Sequence, residues 1–479
     1  MDEKLEQKID SYVEEVWPAV LDDIEELVSH PSVTDYDHAE PGKPFGADAR
    51  AALDAALGIA RKLGYQTSDD EGYMGMADIP GASDKQIATI CHVDVVPAGP
   101  GWNTDPFKME RREGWLLGRG VIDDKGPAVL GLYAGAFLLK EGITPRYSFR
   151  ALLGSDEETG MTDVPHYLSG HKAPDFLFTP DAEFPVCNAE KGQFAATFKS
   201  APVEGGRIVS WSGAEATNAI PSESICELAI DADELPDPQA NADRIDVTAV
   251  ADGRARVFAH GIGGHASMPE GTVNAIKLVV GYLHEVEDAF AAAGKGFLAP
   301  AEHDFLQFLS LAHADTAGEG LGIACTSEAF GPLTCNAGTI EVADGRIEQT
   351  IDVRYPDSTT EETMVAAIAP LAERHNVEMV VGRGVPPFSC SADDPCVQAL
   401  ISTYNEITGK DEKPFAMGGG TYARHFPRAV SFGPEEPATV LPDWGGQMHG
   451  PNECASEVLL KQALKIYIVA ILKLMELDL

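Results

Sequence analysis

His92 and Asp94 stand two residues apart at the end of an apolar run, Ile87-Ala88-Thr89-Ile90-Cys91. Side chains alternate faces along a strand, so this imidazole and this carboxylate point the same way, while Cys91 points to the other face and reads as core. Further on, Gly118-Arg119-Gly120 leads into Asp123-Asp124-Lys125-Gly126, where paired aspartates precede a helix. Asp156-Glu157-Glu158, Asp181 and the distant His449 complete a set of acids and imidazoles at loops or strand ends. Taken singly, each has a plainer explanation. His92 and Asp94 could be a hydrogen-bonded core pair, Asp123 and Asp124 a helix cap, Asp156-Glu157-Glu158 an exposed acidic turn, and Asp181 a turn cap. Taken together, His92, Asp123, Glu158, Asp181 and His449 form a candidate metal shell. Mixed imidazole and carboxylate donors suit zinc, manganese or cobalt better than calcium. One bridging carboxylate between two donor sets holds two ions roughly 3.5–4 Å apart. Asp94 is then placed to accept the second N–H of His92. Glu157, beside a ligand but not needed as one, is placed to move a proton between a water and a leaving amine.

The elements that must position these residues follow from periodicity. Residues 3–28 have apolar positions at helical spacing, with Pro18 expected to kink or split the helix and Pro31 to end it. A second helix is expected over 47–63, stopped by Gly64. Strands near 86–93, 146–153 and 175–179, with a helix near 126–140, indicate an α/β domain built on a mainly parallel, mixed sheet with helices on both faces. In such sheets sites lie at the carboxyl ends of strands, where His92, Glu157 and Asp181 fall. After Lys191-Gly192 the pattern changes to strands near 194–199, 206–211, 223–231, 255–262, 333–341 and 346–354. Helices are expected near 272–291, 303–313 and 360–374. The expected organisation is therefore a catalytic domain in two parts, 1–192 and 383–479, with an α+β domain, 193–382, inserted between them.

The charge balance narrows the partners. Lys+Arg number 35 against 76 Asp+Glu, a formal net charge of −41. Such a field repels nucleic acid and anionic membrane surfaces, so neither is an expected partner. The eight cysteines are dispersed without a C-x-x-C pair, which speaks for reduced thiols over a zinc ribbon or a disulfide scaffold. The first residues have no apolar core resembling a signal peptide. The apolar run Ile466–Leu472 is too short to span a bilayer and reads as a buried closing helix, so a cytoplasmic location is expected.

Several motifs in order carry a resemblance. His92-Val93-Asp94-Val95-Val96-Pro97, Gly118-Arg119-Gly120 with Asp123-Asp124-Lys125-Gly126, Asp156-Glu157-Glu158-Thr159-Gly160, Thr179-Pro180-Asp181 and Met448-His449-Gly450-Pro451-Asn452-Glu453 stand at the right intervals. The chain resembles the M20 metallopeptidase family of aminoacylases, desuccinylases and carboxypeptidases, most closely its PepV-like bacterial dipeptidase branch. The resemblance implies two divalent ions, most simply Zn2+ with Mn2+ or Co2+ as alternatives. It places His92 and Asp181 on different ions, Asp123 between them, and Glu158 and His449 one on each. It makes Glu157 the general base and implies a cis Asp123–Asp124 peptide. The inserted domain becomes a lid, large enough to complete the site within a monomer. Within it, His265 matches a residue that stabilises the oxyanion, while Asn218 and Arg354 match residues that bind substrate, Arg354 by its carboxylate. Gly419 and Gly420 lie in a glycine-rich loop near the substrate. The implied activity is hydrolysis of dipeptides by a metal-bridged water that Glu157 deprotonates. The alternative is an amidohydrolase of N-acyl or N-succinyl amino acids with the same centre.

Overall fold

The computed structural model describes residues 3–250 and 253–479. The chain divides into two compact units. The first comprises Met1–Ala189, Ser389–Phe415 and Gly420–Leu479, and the second Glu190–Phe388 with Ala416–Gly419.

A nine-stranded sheet organises the first unit. Six of its strands lie wholly within the unit, in the order Gln66–Asp70, Met74–Ile79, Ser148–Gly154, Gln86–His92, Phe176–Thr179, Ala429–Ser431. The last four of these run parallel. The first two are antiparallel additions, so the sheet is mixed with a parallel centre. His92 closes one central strand opposite Gly154, and Thr179 closes the next, two residues before Asp181. Their apolar content explains the placement: Ile87, Ile90, Phe149, Leu153, Phe176 and Phe178 are all buried, as strands covered on both faces require.

Helix Lys125–Lys140 begins directly after the paired aspartates, and every residue from Lys125 to Leu138 is buried. Helix Glu457–Glu476 contains the Ile466–Leu472 run and joins the same apolar core. Helix Gly46–Leu63 stops at Gly64, whose φ of 97° suits glycine. Pro18 does not split its helix, which runs unbroken from Glu3 to Val28. The apolar face continues through it, with Ile9, Tyr12 and Val13 buried before the proline and Trp17, Val20, Ile24 and Leu27 around and after it. Packing along both halves outweighs one missing backbone bond.

Three very short strands escape the periodicity. Glu110–Arg112, Trp115–Leu117 and Cys454–Ser456 form an antiparallel sheet with Leu117 opposite Cys454. This sheet brings the chain before Asp123 beside the chain after His449.

The second unit has its own core. One four-stranded antiparallel sheet runs in the order Thr334–Ala343, Arg346–Tyr355, Gly192–Lys199, Glu378–Val381, and another in the order Ile208–Ser212, Glu223–Leu228, Arg254–His260, Ile245–Val250. Helices Ala275–Ala292, Pro300–Ala312 and Glu361–Arg374 supply the remaining apolar surface. Residues 416–419 belong here because Lys191 N donates to Met417 O at 2.9 Å and Arg354 Nη1 to Gly418 O at 2.8 Å. None of the eight cysteines forms a disulfide, and seven of them are buried. No helix among the described residues is long and apolar enough to cross a membrane.

Gly154, the neighbour of His92 across the ladder, has no room for a side chain. A Cβ there would meet the Tyr422 hydroxyl and the Asp163 carboxylate well inside van der Waals contact. Gly154→Ala is expected to lower unfolding stability by roughly 1–3 kcal/mol through overpacking. Urea denaturation checks this, and an unchanged midpoint would mean that Tyr422 can move aside.

Candidate metal centre

The strand ends deliver the side chains into one place. Asp123 presents both carboxylate oxygens: Oδ1 lies 3.0 Å from His92 Nε2, and Oδ2 lies 3.0 Å from His449 Nε2. His449 Nε2 is also 3.1 Å from Glu158 Oε2, and His92 Nε2 is 3.8 Å from Asp181 Oδ2. Two donor groups result, His92–Asp123–Asp181 and Asp123–Glu158–His449, with the donor atoms of each within 4.8 Å of one another. All five expected ligands are therefore together, but their partition differs from the expected one. His92 and Asp181 fall in the same group, His92 at the end of one strand and Asp181 two residues beyond the end of its parallel neighbour, and Glu158 and His449 fall in the other. The Asp123–Asp124 peptide is cis.

The acids that are not donors hold the backbone of those that are. Asp94 Oδ1 accepts the Glu157 N–H at 3.2 Å and Oδ2 accepts the Glu158 N–H at 3.1 Å. Its carboxylate lies 3.5 Å from His92 Nδ1, whose nearer partner is the Asp94 backbone oxygen at 3.0 Å. The expected carboxylate–imidazole contact is present but long, the carbonyl is the nearer partner, and the carboxylate also fastens the Glu157–Glu158 turn. Asp124 Oδ2 accepts the His92 N–H at 3.1 Å. Asp156 is fully buried, bound by Tyr36 Oη at 2.6 Å and by the Thr162 N–H and hydroxyl. Asp156-Glu157-Glu158 is consequently not a solvated acidic turn. The half-buried Glu157 carboxylate accepts no side-chain hydrogen bond from the described residues and is left available.

Sequence reasoning missed Glu453 and Arg119. Both were visible only as letters of quoted motifs, because nothing in local spacing pairs residues so far apart. Arg119 Nη1 donates to Glu453 Oε2 at 2.6 Å, with both side chains almost wholly buried.

This concentration of acid sets the electrostatics. Burial pushes the Asp181 carboxyl up to about 7, with Asp123 and Glu158 adding to it against His92. Burial, then the Asp181 charge, raises Glu157 well above the usual carboxylate range. Hydrogen bonds to Asp123 and Glu158 lift His449 to about 10. Burial opposes ionisation of Asp123, yet bonds from His449 and His92 hold it below the ordinary value. Of the permanent cations nearby, Arg119 is committed to Glu453, and Lys125 Nζ donates to the His30 carbonyl. Imidazole and carboxylate donors with an excess of negative charge fit borderline divalent cations.

The second unit holds the other candidates. His265 and Asn218 are adjacent, with the Asn218 amide nitrogen 3.5 Å from His265 Nε2. His265 Nδ1 lies 2.7 Å from the Ser267 hydroxyl and 3.2 Å from the Ser267 backbone nitrogen, contacts that fix the orientation of the ring. Arg354 is buried and gripped by Asp352, Nε to Oδ1 at 2.6 Å and Nη2 to Oδ2 at 3.0 Å, while Nη1 holds Gly418 O. Of the five guanidinium N–H groups, two remain beyond these bonds, one on each terminal nitrogen. Gly419 belongs to the second unit and Gly420 to the first. A Cβ at Gly419 would meet nothing within 4 Å.

Comparison with known proteins gives one answer. A family model described as Peptidase family M20/M25/M40 matches residues 88–473. A protein of Lactobacillus delbrueckii subsp. lactis, named Beta-Ala-Xaa dipeptidase, is 34% identical over 471 residues, covering 95% of this chain and 96% of its own. A Bacillus subtilis (strain 168) protein named putative dipeptidase YtjP is 32% identical over 426 residues, covering 87% and 89%. The structure of human carnosine dipeptidase 1 shares the fold, with a TM-score of 0.59 at 14% identity over 99% of each chain.

Because the carboxylates crowd without a resident cation, stripping divalent ions should destabilise the protein. Saturating ions are expected to raise Tm by roughly 5–15 °C over chelator-treated protein. Scanning calorimetry with and without a chelator measures the difference, and an Asp123→Asn variant should lose most of it.

Proposed function

From the premise that this chain belongs to peptidase family M20/M25/M40, and so is a metal-dependent hydrolase of peptide bonds, we propose that it cleaves dipeptides at a two-ion centre. In this reading His92, Asp123 and Asp181 hold one divalent ion and Asp123, Glu158 and His449 a second, Zn2+ being the best match to the donors. The observation that carries it is the single Asp123 carboxylate, which offers one oxygen to each donor group. When bound, the ions supply Lewis acidity to a water and to the scissile carbonyl.

The protein's own groups do the rest. Glu157 takes a proton from the attacking water and returns it to the leaving amine. Its carboxylate is free of side-chain hydrogen bonds and its backbone is fixed by Asp94, which suits a group that must bind and release a proton. Asp94 holds Glu157 and Glu158 in register, so that adjacent acids serve different ends. The second unit acts as the lid, and one chain suffices for the site. His265, oriented by Ser267, stabilises the oxyanion together with Asn218. Arg354 takes the substrate carboxylate through its two remaining N–H groups, with Asp352 fixing the plane of the guanidinium. Gly419 and Gly420 leave room for the substrate backbone. The dipeptide preference is supported by the Lactobacillus relative, named Beta-Ala-Xaa dipeptidase.

Two measurements test this reading. Turnover of a free dipeptide should exceed that of its N-acetylated and C-amidated forms by at least about tenfold, which corresponds to losing one good ionic contact. Preference for the N-acylated compound would instead identify an N-acyl amino acid amidohydrolase. Glu157→Gln should keep its ions yet lose about 10²–10⁴-fold in kcat. Near-normal turnover by that variant would remove Glu157 as the base.

A further inference from the structure

Arg119 and Glu453 are 334 residues apart and make contacts that cross over. The carboxylate of Glu453 reaches the loop before the Lys125 helix, accepting the N–H of Gly120 at 3.0 Å, of Ile122 at 3.1 Å and, more distantly, of Asp123 at 3.4 Å. The guanidinium of Arg119 reaches the opposite way, donating through Nη2 to the carbonyls of His449 at 3.3 Å and Gly450 at 3.2 Å. Each loop therefore lends one side chain to hold the backbone of the other. A backbone bond from Gly118 N to Glu453 O at 3.1 Å and the ladder from Leu117 to Cys454 close the join. Trp102 lies against the guanidinium, 5.3 Å from ring centroid to Cζ.

The two loops end in the two residues of one donor pair. Asp123 is the last residue held by Glu453, and His449 is the first carbonyl held by Arg119. His449 also has a φ of 62° and Asn452 a φ of 59°, left-handed conformations that are uncommon outside glycine, though Asn and His adopt them more readily than most residues. Bonds from a buried arginine to the carbonyls of His449 and Gly450 hold that turn. Side-chain rotamers alone could not set the separation of Asp123 and His449, because both sit on irregular backbone.

We propose that the Arg119–Glu453 pair is a positioning clamp that preforms the Asp123–Glu158–His449 half of the centre. The inference rests on the two-ion reading given above. Neither member of the pair belongs to a donor group. The pair acts by fixing the distance between a shared carboxylate and an imidazole carried by separate loops, a task for which a planar fork with several donors is suited and a lysine is not. The His92–Asp123–Asp181 half owes less to it, since His92 and Asp181 are set by neighbouring strands of the large sheet.

Calorimetric titration of chelator-stripped protein with Zn2+ or Mn2+ tests the clamp without recourse to activity. Wild-type protein is expected to take two ions. Arg119→Met, nearly matched in length and without charge, is expected to keep one ion within about threefold and to weaken the other at least tenfold. His449→Ala should weaken the same ion, and Arg119→Met/His449→Ala should be little worse than His449→Ala alone, because the two substitutions remove the same half-site. The loss from Arg119→Met should add in full to that from Asp181→Asn. If Arg119→Met does not fold, Glu453→Gln, which keeps the volume and one acceptor oxygen, is read in the same way. Two ions of unchanged affinity in a folded clamp variant, or a loss that adds in full to that of His449→Ala, overturns the clamp. Wild-type protein that takes up fewer than two ions overturns the two-ion reading itself.

Discussion

Asp123 faces two ways, and most of the first unit is arranged so that it can. Its oxygens lie 3.0 Å from imidazoles that arrive from opposite ends of the chain, one on a sheet strand and one on an irregular loop. A carboxylate has a fixed bite, so neither histidine can shift without disturbing the other. The residues nearby are accordingly held by their backbones as well as by their side chains. Asp94, Asp124 and Glu453 each spend carboxylate oxygens on the N–H of a donor residue or its neighbour. Charge-assisted bonds to backbone amides are short and directional, and they fix the chain where a rotamer preference would leave it loose.

This arrangement divides the acids by function. Those that accept backbone N–H groups have fewer lone pairs left for an ion, and those without such bonds keep theirs. Glu157 and Glu158 illustrate the division within two residues: their amides share one aspartate, yet Glu158 lies beside His449 while the Glu157 carboxylate accepts no side-chain hydrogen bond from the described residues. Burial of so many acids is unfavourable in an empty site and becomes tolerable when a divalent cation neutralises them. The chemistry of a hydrolase and the stability of its fold therefore meet at the same carboxylates.

Much of this was legible in the sequence, for physical reasons that also mark where legibility ended. Helices such as Lys125–Lys140 and Glu457–Glu476 declare themselves by apolar content, and the strand ending in His92 by its unbroken buried run. The five donor residues were identifiable because motif and strand-end position agreed. Their partition was not, since it depends on which strands are neighbours, and the adjacency of Gln86–His92 and Phe176–Thr179 is a property of the folded sheet. That the Asp94 carbonyl lies nearer His92 Nδ1 than the Asp94 carboxylate does depends on local backbone geometry to within about half an ångström. Pro18 misled because propensity was outweighed by packing. The three-residue strands around Leu117 and Cys454 are too short to carry a period, and with them went the pairing of Arg119 with Glu453. The excursion of residues 416–419 into the second unit was likewise invisible, as four residues leave no compositional mark.

The long separation of Arg119 from Glu453 has a consequence for the order in which the molecule is made. A ribosome adding about 5–20 residues per second needs roughly 17–67 s to travel between them, a gap of 334 residues. Throughout that interval the Asp123 loop exists without the carboxylate that gathers its amides, and the second unit, whose core lies between Phe194 and Val377, is synthesised in full before Glu453 is added. The donor group that includes His449 is therefore completed only after the second unit has been made. A growing polypeptide cannot present both donor groups before the loop that carries His449 has emerged.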